Sequence, residues 1–167
     1  MLDTGGGLKK AAWFFLEDAR KLDEPFVLHN VDVVSTIDLH RMVQSHKENH
    51  VLATLAVQSR ESSRLLLFDD EHQLCGRRIG KDAAPEIVRN SPQLHPLAFS
   101  GIHVISPRLL PQIQQEGIFS IIDTYLHLAA QGQKILAFRT DQYYWRDLGR
   151  QSDLTQAAED LKQNLFS

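Results

Sequence analysis

The 167-residue chain has one cysteine, Cys75. A single thiol excludes an intramolecular disulfide and any zinc site built on cysteines, and a reducing, cytoplasmic setting is the simplest expectation. No apolar run approaches the roughly 20 residues that a transmembrane helix needs, so no membrane partner is expected. Basic charge is also scarce. Lys and Arg total 18 against 21 Asp and Glu, a net charge of −3, which leaves no electrostatic footprint for nucleic acid. Met1-Leu2-Asp3-Thr4 shows no basic stretch followed by an apolar one, so no secretory leader is expected. Catalytic signatures are missing as well. No H-E-x-x-H occurs, no Walker lysine–serine pair follows the glycines at 5–7, and the D-x-D-x-[TV] pattern of an Asp-nucleophile phosphohydrolase is absent.

What is present reads as one soluble α/β domain over residues 1–167, with ordinary apolar (43%) and charged (23%) content. After Gly5-Gly6-Gly7, which reads as a turn, Leu8, Ala11, Ala12, Phe15 and Leu16 fall on one helix face. No strand precedes those glycines, so the chain is expected to start partway into its fold. Lys21 to Pro25 is a polar connection, and Phe26 to Asn30 reads as a buried strand. Ser35-Thr36-Ile37-Asp38 fits a capping box opening a helix with Leu39, Met42 and Val43 inward, as far as His50.

Further strands are expected at Val51–Val57, Arg64–Phe68, Gln73–Gly76, Leu97–Ile105, Lys134–Phe138 and Tyr143–Asp147, with a loop over Lys81–His95. Ser106-Pro107 starts a short helix. Ser120-Ile121-Ile122-Asp123 caps another that ends at Gly132. Ser152 caps a last helix with Leu154, Ala157, Ala158, Leu161 and Leu165 on one face. Helices alternating with strands at both ends imply a mixed, mostly parallel sheet, partly antiparallel between 51 and 105.

Two acids stand out. Asp32 and Asp147 each end a strand just before a turn and a helix, and strand ends are where such sheets bind ligands. Two carboxylates with open water positions suit Mg²⁺ better than zinc; each could equally cap the following helix. Gly5-Gly6-Gly7 could offer N–H groups to an anion or simply form a flexible turn. Ser100-Gly101 inside a strand marks a bulge, or a place where ligand meets bare backbone. Asp123 completes a capping box. His46 and His50 have zinc-like spacing but no third ligand, so a solvated helix face is expected. Tyr143, Tyr144 and Trp145 read as core strand residues.

Five blocks occur in order: Asp3-Thr-Gly-Gly-Gly-Leu-Lys-Lys-Ala11, Pro25-Phe-Val-Leu-His-Asn-Val-Asp32, Phe99-Ser-Gly-Ile-His-Val-Ile-Ser-Pro107, Phe119-Ser-Ile-Ile-Asp123 and Tyr144-Trp-Arg-Asp-Leu-Gly149. Together they resemble the sugar-1-phosphate nucleotidyltransferase family, especially its mannose-1-phosphate guanylyltransferase-like and N-acetylmuramate-1-phosphate uridylyltransferase-like members. The resemblance implies a Rossmann-like mixed sheet of the nucleotide-diphospho-sugar transferase type. It implies an enzyme that joins a sugar 1-phosphate to an NTP and releases pyrophosphate. Asp32 and Asp147 would be catalytic and hold Mg²⁺, while Gly5, Gly6, Asn30, Ser100, Gly101 and Asp123 would bind substrate.

The chain departs from the family pattern at Val31, where glycine is usual, and at Arg150, where threonine is usual. The family's G-x-G-T-R loop and nearby Lys-Pro, which handle the triphosphate, do not occur. The expectation is therefore an incomplete domain, the C-terminal two-thirds, without its first strands and glycine-rich loop. By itself it would be inactive, and an exposed sheet edge would favour self-association. A non-catalytic remnant that binds sugar phosphate or a protein is the alternative. Arg77, Arg78 and Lys81 are the cations closest to hand for a phosphate.

Overall fold

The computed structural model describes residues 2–18 and 22–163. Lys21, at the start of the expected polar connection, and Leu165, assigned to the last helix, lie outside the described residues. In chain order the elements are α1 (Asp3–Leu16), β1 (Phe26–His29), β2 (Val33–Ser35), α2 (Leu39–Asn49), β3 (Ala53–Gln58), β4 (Arg64–Phe68), β5 (Leu74–Ile79) and β6 (Glu86–Ile87). There follow β7 (His95–Ile105), a 3-10 helix (Pro107–Gln112), α3 (Ile121–Ala130), β8 (Ile135–Arg139), β9 (Trp145–Asp147) and α4 (Gln151–Lys162).

Seven strands form one sheet in the order β6-β5-β4-β7-β3-β8, with β1 also paired to β7, and β2 and β9 make a separate ribbon. The sheet is mixed, but β3–β8 is the single parallel pair among the described strands. The expected parallel majority is thus replaced by antiparallel pairing around β7. The crossover logic holds in direction only: β1 and β3, linked through α2, both run antiparallel to β7 and so point the same way, with β7 between them.

Alternation along the strands loads both faces of this sheet. Leu55, Val57 and Ile105 join Leu8, Leu109, Tyr125 and Leu128 under α1, the 3-10 helix and α3. Ala56, Ile102 and Val104 pack on the other face with Val33, Ile37 and Met42, beneath α2. Fully burying one such Leu or Ile contributes about 1.5–3 kcal/mol.

Several helix starts differ from expectation. Asp38, not Ser35, caps α2, its Oδ1 accepting from the Arg41 N–H at 2.9 Å; Ser35 belongs to β2 instead. Ser120 does cap α3, accepting from the Ile122 N–H. Arg150 occupies the cap position of α4, and Ser152 sits inside that helix. Leu154 and Leu161 of α4 are exposed. The helix is attached instead through buried Asp160, which accepts from the Tyr144 hydroxyl at 2.7 Å and pairs with Arg146 at 2.5 Å. His46 is buried, not solvated, with Nδ1 3.0 Å from Thr54 Oγ1. Cys75 is fully buried in β5, and burial followed by the field of Asp69 pushes its thiol pKa up.

The glycines at 5–7 form no turn; they lie within α1. Helix propensity disfavours this, and packing explains it. A Cβ on Gly5 would come 2.4 Å from the Phe119 ring, and one on Gly6 would come 2.2 Å from the Gly117 carbonyl oxygen. The Gly5 N–H also donates to the Phe119 carbonyl at 3.1 Å. Gly7 faces open space. Gly6→Ala should therefore lower stability by about 1–3 kcal/mol through overpacking. Gly7→Ala should raise it by about 0.5–1 kcal/mol through helix propensity. Chemical denaturation of the two variants checks the contrast; equal effects would remove the packing explanation.

Candidate functional site

The two acids are brought together by the β2–β9 ribbon. After β1, the Val33 N–H donates to the Asn30 carbonyl at 3.3 Å, closing a turn over Val31 and Asp32. β2 then pairs with β9 so that Val33 stands opposite Asp147 and Ser35 opposite Trp145. The Leu148 N–H donates to the Asp32 carbonyl at 2.6 Å. Asp147 Oδ1 accepts from the Gly149 N–H at 2.8 Å. A Cβ on Gly149 would lie 2.9 Å from Asp147 Oδ1 and 3.8 Å from Asp32 Oδ2, so both carboxylates converge on that glycine. No cluster of three or more His, Cys, Asp or Glu suited to a metal occurs among the described residues. Two hard oxygen donors, with water and ligand oxygens filling the other positions, fit Mg²⁺; they do not make a closed zinc site.

Beside the pair opens a cleft of about 1020 Å³, walled by Asn30, Arg60, Ser100, Gly101, Trp145 and Asp147, among others. Asp32 is exposed next to Asp147 and is not itself part of the wall. The Ser100-Gly101 step is a bulge: Leu55 pairs with His103 but Val57 with Phe99, so β7 carries two extra residues there. Gly101 has φ +73°, and a Cβ on it would press on the Asn30 amide at 2.9 Å. The bulge carbonyls are taken up internally. Gly101 accepts from the Asn30 N–H at 2.9 Å, and Ser100 accepts from the Trp145 indole N–H at 2.7 Å.

The sequence did not mark Arg60, which follows β3. Gln58 and Ser59 tie the end of that strand to residues 140–143. The Arg60 guanidinium then lies 3.8 Å from the Trp145 ring centroid and donates through Nη2 to the Phe99 carbonyl at 2.8 Å. Burial pushes its pKa down and Asp147 pulls it back up; a guanidinium stays cationic under both. Trp145, read as a core strand residue, is thus half-buried and forms cleft wall.

Asp123 reaches the opposite side of the cleft, where its carboxylate is occupied by Arg77 at 2.5 Å. Arg77 also holds Glu86 at 2.7 Å. Burial depresses the Arg77 pKa, but the two carboxylates outweigh it and hold the value above the ordinary one. Gly5 and Gly6 do not belong to the cleft wall; from that segment only Thr4 does. Beneath the bulge His103 is fully buried with Nδ1 2.8 Å from the Tyr125 hydroxyl. Burial, with a smaller contribution from His29, pushes its pKa down to about 3, so the imidazole is neutral. Burial likewise raises the Tyr125 phenol, which stays protonated.

No protein-family model and no curated protein matches the sequence. Solved structures do match over nearly the whole chain. The inositol-1-phosphate CTP transferase from T. maritima superposes with a TM-score of 0.69 at 13% identity, covering 98% of this chain and 62% of that one. The UDP-glucose pyrophosphorylase from Acinetobacter baumannii gives 0.72 at 16% identity, covering 99% and 59%. The UTP-bound UGPase from that organism gives 0.73 at 16% identity, covering 96% and 56%. The chain therefore has the fold of sugar-phosphate nucleotidyltransferases and spans about three-fifths of the length of these structures.

Buried His46 provides a check on the electrostatics. Burial, then Arg108 and Lys47, push its pKa down to about 4, against about 6.5 in an unfolded chain. The unfolded state thus binds more protons, and stability falls as pH drops below about 6.5 toward 4. Urea midpoints measured at pH 7 and pH 5 should show this loss, and His46→Gln should reduce the difference between them. An unchanged difference would remove His46 as its source.

Proposed function

We propose that this chain carries the sugar 1-phosphate side of a nucleotidyltransferase site. In the proposed reaction, an oxygen of the sugar 1-phosphate bonds to the α-phosphorus of an NTP. The bond from that phosphorus to the α–β bridging oxygen breaks, and pyrophosphate leaves. The observation that carries this reading is the convergence of Asp32 and Asp147 at the lip of the cleft, on a fold shared with enzymes of this chemistry. Asp32 and Asp147 are the residues that would hold Mg²⁺, which when bound supplies positive charge against the phosphates.

The remaining roles fall to the chain itself. Asn30 fixes the bulge through its backbone N–H, and Ser100 and Gly101 give the sugar a close-approach wall without bulky side chains. Asp123 acts through Arg77, holding that cation at the cleft's far side. Gly5 and Gly6 serve packing, which leaves Thr4 as the cleft residue of their segment. Reactions of this type need positioning more than covalent participation by the protein. The 167 residues contain no G-x-G-T-R loop, so triphosphate binding has no counterpart among them, and the chain by itself is expected to bind sugar phosphate better than it turns over.

Self-association belongs to the same proposal. Among the described strands β1 pairs only with β7, which leaves its other edge free. Val27 is exposed on β1, Phe15 stacks on Phe26 at 3.9 Å, and Trp13 and Phe14 beside Phe15 are exposed. Light scattering should show a concentration-dependent dimer, and a monomer at every concentration would count against edge pairing.

Calorimetric titration of hexose 1-phosphates (glucose, mannose and N-acetylglucosamine) with Mg²⁺ tests the main reading. Saturable binding is expected for at least one. Asp32→Asn and Asp147→Asn should each weaken it about tenfold or more at an unchanged melting temperature. With NTP added, pyrophosphate release should be slight. Binding indifferent to both substitutions would detach the acids from the site, and brisk pyrophosphate release would overturn the expected inactivity.

A further inference from the structure

Four buried side-chain polar atoms have no hydrogen-bond partner among the described residues: Arg60 Nε, Arg78 Nε, Ser100 Oγ and His103 Nε2. All four residues line the large cleft. Buried polar groups are paired about nine times in ten or more, and each exception calls for an explanation. Four exceptions around one cleft have a common explanation in a ligand. Guanidinium N–H groups only donate. His103 keeps Nδ1 2.8 Å from the Tyr125 hydroxyl and leaves Nε2 without a partner. Ser100 can donate as well. Unused guanidinium and hydroxyl donors complement an acceptor-rich anion.

Arg60 is the best held of the four. Its guanidinium is fixed against Trp145 at 3.8 Å and through Nη2 to the Phe99 carbonyl. It also feels the charge of Asp147, yet no ion pair joins the two among the described residues. A purely structural arginine would account for the stack and the Phe99 bond. It would not account for a dry Nε–H left without an acceptor, which costs free energy unless a ligand supplies one.

We infer that Arg60 is a phosphate-binding residue of this cleft, its Nε–H donating to an oxygen of the ligand's phosphate monoester beside Asp147. The assignment rests on the sugar-phosphate reading of the site. Arg60 then holds the phosphate from the β3 side while the acid pair faces it from the ribbon side. Charge-assisted bonds to phosphate from a pre-fixed guanidinium are among the stronger ones available.

The test titrates inorganic phosphate, the same hexose 1-phosphates and the free hexoses, all with Mg²⁺, into the wild-type chain, Arg60→Gln and Arg60→Lys. Arg60→Gln should weaken phosphate and hexose 1-phosphate binding about ten- to hundredfold and leave any free-hexose binding unchanged. Arg60→Lys keeps the charge and loses the Nε–H, so it should fall between wild type and Arg60→Gln. It also carries the test if Arg60→Gln proves unfolded by circular dichroism. Hexose 1-phosphate binding unchanged in the folded variants sinks the inference and leaves the nucleotidyltransferase reading standing. Arg60-dependent phosphate binding with no gain from a hexose supports the inference and removes the sugar-phosphate reading. A wild-type chain that binds neither phosphate nor hexose 1-phosphate overturns both.

Discussion

Strand β7 is the constraint on which the rest of the molecule depends. Its residues 103–105 are paired on both sides, by β1 and β3, while residues 95–97 pair with β4. One eleven-residue strand thus fixes the direction of three others and separates the two apolar cores. The bulge at Ser100-Gly101 falls where β7 passes from its β1 partner toward its β4 partner. Pairing and site are therefore one feature. Regular pairing there would remove the extra residues that receive the Asn30 N–H and the Trp145 indole.

The β2–β9 ribbon is the second half of that arrangement. It is only three residues long on each side, too short for independent stability. It is held because Asn30 and Trp145, at its two ends, hydrogen-bond the bulge, and because Gln58 and Ser59 secure the loop leading into β9. The register that sets Val33 opposite Asp147 leaves Asp32 and Asp147 facing Gly149 together. A slip by one residue would turn every side chain on a strand to the other face, so the acid pair exists only while these anchors hold.

Much of this was legible in the residues. Apolar runs located β1, β3, β4, β7 and β8 within a few positions; Asp147 does end β9, whereas Asp32 lies in the turn after β1 and not at the strand's end. Other features depended on contacts between distant segments. Gly5-Gly6-Gly7 carry a turn signal locally, and only the approach of residues 117–119 makes glycine the residue that fits a helix there. Val33 to Ser35 looked like an approach to α2 because their strand partner lies more than a hundred residues away. Arg60 carried no signal at all, since neither Trp145 nor the Phe99 carbonyl is near it in sequence. The parallel majority failed for the same reason: alternation of helix and strand does not reveal that β7 inserts between β1 and β3.

The lone cysteine has a use that its isolation provides. Cys75 is fully enclosed in β5, between β4 and β6, and its thiol is held in the unreactive protonated form by burial. Alkylating reagents can reach it only when that hairpin region opens. With no second thiol to compete, the rate of labelling is a clock for local opening. The clock sits beside Arg77 and Arg78, so it reports on the cleft's far wall and is blind to the acid pair.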